Sequence, residues 1–110
     1  MVQMPRMLRK LAQMNRLANA RLHRACAALP PGAYEAPRPS FFGSIRATLN
    51  HILLVDRFYI DALEGRPLNE AALAEARDCP DLARLSEWQT RMDDRLLALV
   101  AALTPDALAE

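Results

Sequence analysis

The sequence predicts an all-α protein, an up-down bundle of three long helices. Three observations lead there. The 110-residue chain has room for one hydrophobic core, and with 52% apolar but only 5% aromatic residues that core is aliphatic. Glycine occurs only three times, and the abundance of Ala, Leu and Arg favours helix over strand. Apolar residues recur at alternating spacings of three and four in three separate stretches, as in helices that bury one face, and no stretch supports a strand.

The first helix is expected from about Pro5 to Leu29. Proline suits a first turn, where its missing N–H would have no partner anyway. Leu8, Leu11, Asn15, Ala18, Leu22, Ala25 and Leu29 form its stripe, and Pro30-Pro31-Gly32 stops it. A proline-rich loop follows, after which Ser40 or Ser44 can cap the second helix. That helix covers about Phe41 to Glu64. Its stripe is Ile45, Thr48, Ile52, Val55 and Tyr59, widened by Leu49, Leu53, Phe58 and Leu63. Being apolar on most sides, it is expected to be the most central helix and to need a fourth helix or a second subunit for full cover. Gly65 suits the position just past its end. Residues 69–77 read as a short helix begun by Asn69. The third long helix runs from about Asp81, its N-cap, to Leu103, with a stripe of Leu82, Leu85, Gln89, Met92, Leu96, Leu99 and Leu103. Thr104-Pro105 ends it, and Pro105 to Glu110 reads as the start of another element.

Composition excludes several classes. No apolar run approaches the ~18–20 residues that cross a bilayer. Residues 1–10 mix methionines with Arg6, Arg9 and Lys10, unlike a secretory signal. Cys26 and Cys79 are too few for a disulfide framework, so reduced thiols and a cytoplasmic protein are expected. The net charge of +1 hides an asymmetry. Residues 1–50 carry eight basic side chains against the lone acid Glu35, whereas residues 51–110 carry six basic and twelve acidic ones. The first helix is therefore expected beside the last, with charges paired across the seam. The basic half has no aromatic before Tyr34 and no basic run longer than two, so neither nucleic acid nor a membrane is the expected partner.

Few residues offer chemistry. His51 lies mid-helix in the most apolar segment, as either a hydrogen-bonded core histidine or a metal ligand facing the bundle interior. His23, among Arg21, Leu22 and Arg24, reads as a solvated surface residue. Asn15 and Gln89 interrupt apolar stripes, either to fix helix register or to line a polar site near His51. Asp56-Arg57 and Asp93-Asp94 read as solvated or interhelical ion pairs. No CxxC, Gly-rich phosphate loop or HExxH is present, and spacing suggests no Ser-His-Asp set.

Two stretches nevertheless resemble a known family. Met14 to Leu22 (MNRLANARL) is similar to the N-R-W-A-N-x-R-L opening helix of the DinB-like metalloproteins, with Leu17 in place of the usual Trp. Phe41 to Arg57 (FFGSIRATLNHILLVDR) is similar to that family's F-x-S-I-x-x-T-L-N-H-L-L-x-x-D segment. The resemblance implies a four-helix bundle that holds a divalent metal, nickel or zinc, through three histidines. One of them maps onto His51. The other two form an H-x-x-x-H pair on a fourth helix, and no histidine follows His51 here. The resemblance thus implies a single domain over residues 1–110 that lacks its C-terminal helix. Complete members act as thiol-dependent S-transferases or hydrolases on small-molecule or thiol substrates, and this form is expected to be incomplete or inactive. The alternative is a non-catalytic helical module that self-associates, as a homodimer, through its uncovered face.

Overall fold

The structure, a computed structural model, describes residues 3–104. It is all-helical among these residues, with α1 (Gln3–Ala27), α2 (Ile45–Leu63), α3 (Glu70–Arg77) and α4 (Leu82–Ala101). Three caps expected from the sequence are present. Ser44, Asn69 and Asp81 each accept a backbone N–H three residues on, from Ala47, Ala72 and Arg84. The choice between two serines falls on Ser44, so α2 begins at Ile45, four residues later than expected. Gly43, at φ 88°, turns the chain just ahead of the cap. Gly65, at φ 75°, follows the C-cap Glu64 as expected. The expected element at Pro105 to Glu110 lies outside the described residues.

Side-chain pairing fixes the helix directions. Asn15 and Asn19 meet Asp93 while His23 meets Ser86, so α1 and α4 are antiparallel. Asp56 meets Gln89 and Asp61 meets Arg95, so α2 and α4 run the same way. The short α3 makes that crossover possible. Its exit turn is tied to α2 by Asn50, whose Nδ2 donates to the carbonyls of Arg77 (3.1 Å) and Cys79 (3.0 Å). The core gathers Leu49, Leu53 and Ile60 of α2, Ala76 and Cys79, Leu85 and Met92 of α4, and Cys26 and Tyr34 from the end of α1 and its loop. Trp88 packs against this cluster on the α2–α4 side, with the Arg57 guanidinium 5.9 Å from its ring centre.

The expected central helix shares its place: α4 packs against α1 and α2, and α2 packs against α3 and α4. The stripes shift. α4 buries Leu85, Gln89 and Met92 of its expected set. The buried side of α1, however, carries Ala12, His23 and Cys26, with Asn15 and Asn19 half-buried between them, and Leu11, Ala18, Leu22 and Ala25 are exposed. On α2 the packed seam is Leu49, Leu53 and Ile60, while Tyr59 and Leu63 lie in water. A helix turns ~100° per residue, so Met4, Met7, Leu11, Met14, Ala18 and Leu22 share one arc of α1, beside Asn15. Thr48, Ile52, Val55 and Tyr59 likewise share an arc of α2, beside Asp56. Because Asn15 and Asp56 converge on the Gln89–Asp93 pair of α4, the two arcs border one open groove.

Candidate functional site

The floor of that groove is a polar layer. Asp93, 3% exposed, accepts from Asn15 Nδ2 (3.2 Å), Asn19 Nδ2 (3.0 and 3.1 Å) and Gln89 Nε2 (3.2 Å). Gln89, 1% exposed, also donates to Asp56 Oδ2 at 2.8 Å. Two carboxylates and three amides thus link α1, α4 and α2. Burial pushes the Asp56 carboxyl above its usual range; the Gln89 hydrogen bond opposes this and the nearby Asp93 charge adds to it. Asp93 is therefore no ion-pair member, a correction to the expected role. Its neighbour Asp94 does pair, with Arg16 at 3.0 Å, the one ion pair between α1 and α4 among the described residues. Asn15 and Gln89 meet through Asp93, which fits the register-fixing role.

His51 is exposed, which corrects the expectation of a ring in the bundle interior. The cause is the open side of α2: five residues before Asp56, its side chain points to the edge of the uncovered arc. The imidazole stacks on Phe42 at 4.4 Å between centroids and 26° between planes, and Phe41 meets Phe42 edge-on. No described residue hydrogen-bonds either ring nitrogen of His51. The acids that follow on α2 do not join it. Asp61 pairs with Arg95 at 2.5 Å, and Glu64 also pairs with Arg95, so both serve the α2–α4 seam.

His23 is the larger surprise. It is 7% exposed, not solvated, and its Nδ1 lies 3.1 Å from Ser86 Oγ. Burial lowers its pKa below 6.5, against the raising field of Asp93, so the ring is neutral at pH 7. Sequence reasoning missed His23, Asn19, Ser86 and Asp93 as a group. The available signal was a polar line at Asn15, Asn19 and His23, each four residues from the last on one helix face.

Among the described residues no three His, Cys, Asp or Glu side chains stand close enough to hold a metal ion. Cys26 and Cys79 are buried free thiols, each pushed up in pKa by burial. A family model described as DinB family matches residues 4–110. Neither a curated protein nor a solved structure matches the chain.

Proposed function

Since the chain belongs to the DinB family over essentially its whole length, we propose that it supplies one ligand, His51, to a divalent-metal site. The observation that supports this reading is the state of the imidazole. It is exposed, braced by Phe42, free at both nitrogens of described partners, and placed beside an apolar groove that another helix can cover. The donors present do not complete such a site, because a catalytic ion needs about three protein ligands and one imidazole stands alone here. No reaction step is therefore assigned to this chain. Thiol-dependent transfer or hydrolysis, with nickel or zinc, would belong to the site assembled once the groove is covered. A cytoplasmic setting suits the two unpaired thiols, and among the described residues no helix is long and apolar enough to cross a membrane.

Calorimetric titration of the purified chain with nickel or zinc chloride tests His51. A second copy seated on the groove would bring two His51 imidazoles to one ion, so the expected result is one ion per two chains, lost in His51→Ala while circular dichroism stays unchanged. Equal uptake by both proteins, or none by the wild type, removes His51 as a ligand. The second reading, a self-associating helical module, rests on the exposed arcs of α1 and α2 and needs no metal.

A further inference from the structure

We propose that Ser86 and His23 form a nucleophile–base pair for acyl transfer from small carboxylic esters, in a groove on the outer side of the α1–α4 seam. The groove is about 780 Å³ and lies on the far side of α1 from the uncovered apolar arc. The exposed Ala20, Ala27 and Ala83 keep its lining small, and His23, Ser86, Arg24 and Arg91 line it with them. Sequence spacing offers no hint of the pair, since 63 residues separate its members. Antiparallel packing of α1 on α4 brings them to 3.1 Å, within the reach required for proton transfer.

Three features suit the chemistry. The Ser86 hydroxyl lies at the imidazole, and with the ring proton on Nε2, Nδ1 is free to accept from it. The imidazole is neutral because it is buried, so the base is ready at neutral pH. Asp93, two turns on from Ser86 along α4, acts on His23 through its field and favours the imidazolium that forms during attack, although the hydrogen bonds it accepts come from Asn15, Asn19 and Gln89. The other charged groups facing the groove are Arg24 of α1 and the Glu87–Arg91 pair of α4. Arg24 has no side-chain partner among the described residues and can take the carbonyl oxygen as it gains charge.

The steps balance without a metal or an oxidant. Ser86 Oγ bonds to the ester carbon as its proton passes to His23 Nδ1. The bond to the alkoxy oxygen breaks, and that oxygen leaves with the proton as the alcohol. Water then attacks the acyl-serine, giving its proton to the same nitrogen, and release of the carboxylic acid restores the hydroxyl.

The test uses the whole chain in EDTA with two probes, an ethyl fluorophosphonate and p-nitrophenyl acetate. The expected results are one phosphonate adduct per chain, mapped to Ser86, and a nitrophenolate burst of about one equivalent. Ser86→Ala should abolish both. His23→Gln, which keeps a hydrogen-bonding side chain in the seam, should slow the burst by about 100-fold or more while the thermal melt shows a folded protein. The wild-type burst rate should also fall below pH 6.5, as the base becomes protonated. Ser86→Cys should react with iodoacetamide at position 86 faster when His23 is intact. The proposal is overturned by an unlabelled wild type, by an adduct elsewhere, by a burst that survives Ser86→Ala, or by His23→Gln matching the wild-type rate. Because EDTA is present throughout, failure here leaves the His51 metal reading untouched.

Discussion

His23 and Asp93 sit at opposite ends of one polar seam, and their environments make different demands on stability. An imidazole whose folded pKa lies below 6.5 binds fewer protons folded than unfolded, so acid pulls the equilibrium toward unfolding. Urea denaturation should show stability falling as pH drops from 6.5 through the lowered folded value, and His23→Gln should lack that component. Asp56 acts in the other direction. Its raised carboxyl holds a proton that the unfolded chain has already released, so its contribution fades as pH climbs from 3.8 through the raised value. Asp93→Ala leaves Asn15 and Asn19 without their acceptor and removes one from Gln89. It should cost roughly 1–3 kcal/mol or more in urea melts, whereas Asp94→Ala, which breaks only an exposed pair with Arg16, should cost under about 1 kcal/mol. At this scale the sequence was a poor guide. A polar residue in an apolar stripe announces a buried polar contact, as Asn15 and Gln89 did, but its partner is chosen by packing. His23 and Asp93 looked like surface residues because their flanking Arg24 and Asp94 are.

Helices were far more legible than their partners. Ser44, Asn69 and Asp81 cap where short side-chain oxygens precede a run of helix formers, and Asp81→Ala should lower stability by about 1 kcal/mol in urea melts. The stripe of α4 pointed to its true core side, so Leu85→Ala, at a position with no exposure, should cost about 2–5 kcal/mol. On α1, and in part on α2, the same pattern pointed elsewhere. Leu11, Ala18 and Leu22 of α1 and Tyr59 of α2 are exposed, whereas Ile45 and Ile52 of the expected α2 stripe pack against the core beside Leu49 and Leu53. The contacts with α4 are made by the adjacent sectors, where α1 offers small and polar residues instead of leucines. Periodicity locates where a helix wants apolar company; it does not say that such company is present.

For the molecule as a whole, the all-α bundle and the packing of the first helix beside the last followed from composition. The expected charge pairing across that seam reduces to the exposed Arg16–Asp94 pair, since α4 carries three basic and three acidic side chains, and the order of directions did not follow. The parallel course of α2 and α4 depends on α3 and on Asn50 gripping its exit turn, a tertiary contact with no periodic trace. The uncovered arcs have a consequence in solution. Met7, Leu11, Met14, Tyr59 and Leu63 are each more than half exposed, an apolar surface of the kind that partners bury. Sedimentation equilibrium should therefore give a mass above 12.3 kDa, and Leu11→Lys should restore the monomer without loss of helix; a monomeric wild type at high concentration would remove the self-association reading. The position of Trp88, the only indole in the chain, supplies an optical consequence. It sits where α2 meets α4 under the Arg57 cation, remote from the α1 groove, so its emission should stay blue if α1 alone lifts away and redden only when the other two long helices part. One chromophore thus distinguishes peeling of the first helix from melting of the rest.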